Sequence, residues 1–91
     1  MIVAVNRLTV RETEAEGLVA AFAGAAGRMA EVPGCLGFEL WQGETAGEFQ
    51  VVTRWRDRAA FDAWRESEAF RRAHGHSGGA GAELAIFEVR L

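Results

Sequence analysis

The sequence predicts one α+β domain in which strands and helices follow in the order β-α-β-β-α-β. Three observations carry that expectation. β-Branched apolar runs open and close the chain, two alternating segments meet at a short glycine-bounded loop, and two stretches hold apolar residues at helical spacing. Ninety-one residues are enough for a single core, so one domain spanning residues 1–91 is expected.

Ile2 to Val10 has the composition of a largely buried strand. Its faces are Ile2, Ala4, Asn6, Leu8 and Val10 against Val3, Val5, Arg7 and Thr9, so Asn6 shares a face with apolar residues. Thr13 and Glu16 form a capping-box pattern at a helix start. Leu18, Val19, Phe22, Ala25, Ala26 and Met29 then make one apolar stripe. Pro33-Gly34 ends the helical region, because proline disfavours helical geometry in the residue before it and glycine takes the turn.

Leu36, Phe38 and Leu40 alternate with Gly37, Glu39 and Trp41 as a half-buried strand does. After a turn at Gly43 to Gly47, Phe49, Val51, Thr53 and Trp55 alternate with Gln50, Val52 and Arg54, which completes a hairpin. Asp57 is an N-cap for a helix carrying Phe61 and Trp64. Ser67 offers a second cap, so two short helices are an alternative to one. Residues 75–81 are a glycine-rich connection, and Leu84 to Leu91 reads as the last strand. This is the split βαβ, or ferredoxin-like, pattern: an antiparallel four-stranded sheet with both helices on one face. The other face stays apolar and calls for cover, which a second subunit packed sheet to sheet would supply.

Composition narrows the function. The chain has ten Lys+Arg (all arginine) against thirteen acidic residues, a formal net charge of -3, and this gives no support for nucleic-acid binding. Arg54, Arg56 and Arg58 read as one solvated face of a strand running into a turn. The single cysteine, Cys35, excludes an internal disulfide. Neither a leader-like segment nor an apolar run of membrane-spanning length is visible, so no membrane association and a cytoplasmic address are the expectations.

Three residues stand out as candidates for chemistry: Asn6, Trp64 and His74. Each has a plain alternative. Asn6 can be an edge residue bonded to backbone, Trp64 a core aromatic, and His74 a helix C-terminal residue favoured by the dipole. Residues ten apart on a straight helix lie about 15 Å apart and roughly 80° off-face, so Trp64 and His74 converge only if the segment breaks near Ser67. His76 competes with His74, but a His-x-His pair with Cys35 falls short of the four ligands of a structural zinc site. Cys35 reads as a small buried hydrophobe, since no neighbour in sequence would lower its pKa.

Asn6-Arg7-Leu8-Thr9-Val10, Pro33-Gly34, Val52-Thr53-Arg54-Trp55 and Phe61-Asp62-Ala63-Trp64 resemble the antibiotic biosynthesis monooxygenase (ABM) superfamily. The run Ala69-Phe70-Arg71-Arg72-Ala73-His74-Gly75-His76 resembles its haem-degrading, IsdG-type branch. The likeness covers almost the whole chain, and Asn, Trp and His together form its more specific part. It implies a dimeric α+β barrel that takes haem as both substrate and cofactor. The porphyrin is opened with O2 and an external electron donor, and iron is released. The matching roles fall on His74 as axial ligand of the haem iron, Asn6 as hydrogen-bond donor to the ligand on iron, and Trp64 as the bulky group against the porphyrin. Phe22 would line the same pocket. Where some relatives carry a basic residue for a haem propionate, this chain has Ala25, with Arg28 nearby; tyrosine is absent. Sister branches imply one alternative, a cofactor-independent monooxygenase of polycyclic phenols or quinols, and the wide reuse of the fold leaves another, a non-catalytic dimer that binds haem or a small ligand.

Overall fold

A computed structural model describes residues 1–67 and 83–91. Strand β1 spans Ile2–Thr9, helix α1 Ala15–Met29, β2 Cys35–Gln42, β3 Glu48–Trp55, α2 Arg58–Arg65 and β4 Glu83–Glu88. The strands form one sheet in the order β2-β3-β1-β4, with every pairing antiparallel. The α+β, ferredoxin-like class expected from the pattern is therefore the fold.

Cross-strand pairing arranges the helix-facing side in rows. Cys35, Trp55, Ile2 and Glu88 form the first, and Phe38, Thr53, Ala4 and Ile86 the second. Leu40, Val51, Asn6 and Leu84 form the third, with Gln42, Phe49 and Leu8 beyond it. The core sits over the first two rows. Ala4, Met29, Trp55, Ala60 and Phe61 are buried together, with Val32, Phe38, Trp64 and Ile86 packed against them. Burying an aromatic of this size contributes about 3 kcal/mol, so Trp55 and Phe61 anchor both helices to the sheet.

Several local expectations change in the structure. The Thr13–Glu16 capping box does not form: a 3-10 turn over Glu12–Glu14 leads into α1, and neither start has a side-chain cap. The Glu14 amide bonds Arg11 O at 2.9 Å instead, and Arg11 pairs with the Glu14 carboxylate at 3.5 Å. The 3-10 turn also sends the Ala15 amide, one the Thr13 hydroxyl could have capped, to Glu12 O. In β2 a register shift between Cys35 and Gly37 expels Leu36, which is 58% exposed, and Cys35 takes the core-facing place opposite Trp55. Strand β4 ends at Glu88 rather than Leu91: its ladder with β1 stops at the Ile2–Glu88 pair, and a last bond joins the Val89 amide to Met1 O at 3.0 Å.

Other expectations are met. Asp57 caps α2, its carboxylate accepting the Ala60 amide at 2.8 Å. Gly34 takes φ 81°, the left-handed turn assigned to Pro33-Gly34. Ser67 donates its hydroxyl to the Trp64 carbonyl just past the end of α2, and the segment that follows lies outside the described residues. No described helix is long and apolar enough to cross a membrane.

Candidate functional site

The helix-facing side of the sheet is unevenly covered. Trp55, Ala4 and Thr53 in the first two rows are 0%, 2% and 5% exposed, whereas in the third row Asn6 is half-buried and Leu84 exposed. An apolar row that carries an amide is therefore partly open beside a closed core. A ligand-binding cleft has the same composition: apolar walls and few polar groups.

Asn6 sits in central strand β1 with Val51 on one side and Leu84 on the other. Its neighbours are apolar because alternation puts every second residue on one face. Among the described residues its side chain makes no hydrogen bond, which leaves the amide donor and acceptor available. The backbone-bonded alternative for Asn6 is thus not the arrangement seen.

Phe22, on the half-buried stripe of α1, meets Phe38 of β2 at a centroid distance of 5.9 Å. Phe38 lies one row from Asn6, so the Phe22–Phe38 pair walls the β2 side of the open row. Periodicity put Phe22 on the α1 stripe and the family resemblance singled it out; its partner Phe38 was legible only as an inward-facing strand residue.

Trp64 is half-buried on α2, 5.3 Å from Trp55 and 6.3 Å from Phe61 between ring centroids. Four strand residues separate the Trp55 row from the Asn6 row, about 13 Å. Asn6 and Trp64, which stacks on Trp55, therefore stand over different rows of one face. That separation suits a large flat guest better than a small one. His74 and His76 lie outside the described residues.

Arg28, near the end of α1, is exposed, and Ala25 is half-buried on the stripe. The described residues hold no cluster of three or more His, Cys, Asp or Glu side chains that could bind a metal ion. The Cys35 thiol is pushed up in pKa first by burial, against a smaller lowering contribution from the Gly37 backbone, and it donates to Gly37 O at 3.6 Å, which suits a packing residue rather than a nucleophile.

The opposite face of the sheet presents Val3, Val5, Ala85, Trp41 and Phe87, with Arg7, Glu39 and Arg54 among them, and Val52 is fully buried beneath its neighbours. Trp41 is 46% and Phe87 56% exposed, and both line a shallow groove of about 400 Å³ with Val5, Arg7, Gln50 and Ala85. Glu39 accepts Trp41 Nε1 at 3.2 Å and Arg54 Nε at 3.1 Å, and these two bonds hold its carboxyl below the usual range. This is an apolar centre with paired charges around it.

Comparison with known proteins agrees with this geometry. The antibiotic biosynthesis monooxygenase family matches residues 1–76. A haem-degrading monooxygenase of Listeria welshimeri is 34% identical, over 98% of this chain and 91% of its own length. One from Shouchella clausii is 35% identical, over 81% of this chain and 71% of that protein. Among solved structures, the haem-degrader MhuD of Mycobacterium tuberculosis, with two haems bound in its active site, superposes with a TM-score of 0.82. It is 33% identical, over 100% of this chain and 97% of MhuD. Rv0793 of the same organism shares the fold at 18% identity and a TM-score of 0.83, over 99% of this chain and 95% of that one. The half-open apolar row, the family match and these relatives agree: the chain belongs to the antibiotic biosynthesis monooxygenase family, in its haem-degrading branch.

Proposed function

We propose that this protein binds haem and opens the porphyrin oxidatively, using O2 and an external electron donor and releasing iron. The observation that carries the reading is the Asn6 amide, unengaged among the described residues, on a partly open apolar row about 13 Å from the Trp55 shelf that supports Trp64. A porphyrin is a flat apolar guest of that scale with one polar centre. The described residues fit it: Phe22 and Phe38 supply an aromatic wall, and Leu84 and Ile86 supply apolar floor. The name of the Listeria welshimeri relative and the two haems of MhuD support the same guest.

In this reading His74 holds the iron through a neutral imidazole, the form that ligates metals. Bound haem contributes oxygen activation at its iron and an oxidisable ring. Asn6 would donate its amide N–H to a ligand on the iron, where a fixed donor steadies developing negative charge without reorganisation. Trp64 would set its bulk against the porphyrin. Phe22 and Phe38 exclude water from one side. Arg28 is the cation of α1 available to a propionate in place of a basic residue at Ala25.

The working form is a homodimer packed through the helix-free sheet faces. Val3, Val5, Trp41 and Phe87 form its apolar centre, and the paired charges of Glu39 and Arg54 lie around it.

Haem titration tests the function directly. The wild-type protein should shift the Soret band, and a reductant in air should then bleach it. His74→Ala should abolish the shift, whereas Asn6→Ala should keep binding and slow bleaching by about 10²-fold, the loss typical of a single fixed donor. A wild-type protein that ignores haem but oxidises an anthrone-like phenol would assign it to the cofactor-independent branch instead. Tight haem binding without turnover would make it a carrier.

A further inference from the structure

The motif Val52-Thr53-Arg54-Trp55 is divided by the sheet. Val52 and Arg54 lie on the helix-free face, and Thr53 and Trp55 face the helices. Thr53 is the only buried polar or charged side chain among the described residues. It lies between Val51 and Trp55 on that face, where valine would fill the same volume without a hydroxyl to satisfy. Its hydroxyl does have partners. Thr53 Oγ1 accepts Trp55 Nε1 at 2.8 Å and donates to Ala4 O at 3.5 Å.

The first of these bonds orients a fully buried indole. Turning the Trp55 ring over would carry its N–H from Thr53 into the apolar cluster of Met29, Ala60 and Phe61. A buried donor left unpaired is disfavoured by roughly 5- to 150-fold, so one ring orientation prevails. Trp64 packs on that ring at 5.3 Å with planes 32° apart, and Phe61 meets Trp55 edge-on at 5.7 Å and Trp64 at 6.3 Å. The triangle leaves Trp64 little freedom once Trp55 is fixed. The second bond reaches β1, where Asn6 follows Ala4 by two residues on the same face.

We infer that Thr53 is a positioning residue for Trp64, acting through Trp55, and that its hydroxyl couples the indole side of the site to the strand carrying Asn6. The inference rests on the reading of Trp64 as the group that presses on the bound macrocycle. Thr53 touches no guest; it determines where Trp64 stands.

The test compares Thr53→Val, which keeps shape and removes the hydroxyl, with Thr53→Ser, which keeps the hydroxyl. In haem-free protein, stacked indoles produce an exciton couplet in far-ultraviolet circular dichroism, and Trp64→Phe identifies it by its loss. Thr53→Val should weaken the couplet and move the indole N–H resonances of both Trp55 and Trp64, and Thr53→Ser should restore both signals. With haem, Thr53→Val should bind within about threefold of wild type but open the ring about tenfold or more slowly, as misplacement of a positioned group does. A folded Thr53→Val protein with the wild-type couplet and wild-type ring opening overturns the inference. Should Thr53→Val not fold, Trp55→Phe removes the donor instead, and an unmoved Trp64 indole resonance with unchanged turnover is the overturning result. If wild-type protein neither binds nor opens haem, the functional reading fails on its own, and the couplet of the haem-free variants alone decides the inference.

Discussion

Replacing Gly34 by alanine should destabilise the domain by about 2–5 kcal/mol, with a steric part that a second substitution can remove. Gly34 has φ 81°, a conformation that costs an L-residue about 1–2 kcal/mol. A Cβ built there would stand 2.4 Å from Ala60 Cβ, while the next heavy atoms are 3.8 Å away. Ala60 is a buried residue in the first turn of α2, and the Gly34 carbonyl accepts the Arg56 amide at 2.8 Å, so neither segment moves aside freely. Overpacking of this kind costs about 1–3 kcal/mol. Against a total stability of about 5–14 kcal/mol for a chain of this length, the loss is large. Ala60→Gly deletes the clashing methyl, at about 1 kcal/mol for glycine in a helix. The double variant should therefore recover about 1–3 kcal/mol relative to the sum of the single changes, and the left-handed penalty should persist. Urea unfolding of the four proteins in the cycle reads this coupling. Additivity within about 0.5 kcal/mol would refute the contact between Gly34 and α2 as the source of the cost.

Phe87→Arg should leave the protomer folded but weaken the proposed dimer. A ring already 56% exposed contributes about 1–2 kcal/mol per copy when covered, and twofold symmetry doubles it, so the dissociation constant should rise about 30- to 700-fold in sedimentation equilibrium; unchanged association argues against the sheet-face interface. The Asp57 carboxyl is held below its ordinary range first by the Ala60 amide and then by Arg56. Its folded pKa being the lower one, its contribution is present above the unfolded pKa and lost as pH falls through the folded value. Asp57→Asn keeps an acceptor for the amide without the charge, so wild type should lose stability faster than this variant across the acidic range. Parallel urea midpoints at each pH would contradict that account. Burial raises the Cys35 pKa, so alkylation of the folded protein should be slower than that of a free thiol and need higher pH, and urea should restore the free-thiol rate. Rapid labelling of the native state at neutral pH would show that Cys35 is not the packing residue described.

Much of the fold was legible because periodicity reports burial. Alternation in β3 placed Phe49, Val51, Thr53 and Trp55 on one face, and all four are buried, while Val52 is buried on the other face, which alternation does not reveal. Asp57 was readable as a cap because only short acceptor side chains reach the N3 amide. Thr13 and Glu16 carried an equally good local signal, yet the chain satisfies the Ala15 amide through a 3-10 turn, an alternative that a capping pattern does not reveal. Leu36 failed for a related reason. A bulge costs little and is invisible to a pattern of period two, so nothing in the alternation marks Cys35 as the inward residue.

The sequence by itself determined the element order, the inward sets of β1 and β3 and the position of Asn6 among apolar residues, because these follow from spacing along one segment at a time. Only the tertiary structure decided that Phe38 partners Phe22, that Thr53 holds Trp55, and that the Asn6 row stays partly open while the Trp55 row is closed. Those facts depend on register between strands distant in the chain and on where a helix lands across them. Both are set by the packing of the whole core rather than by any local preference.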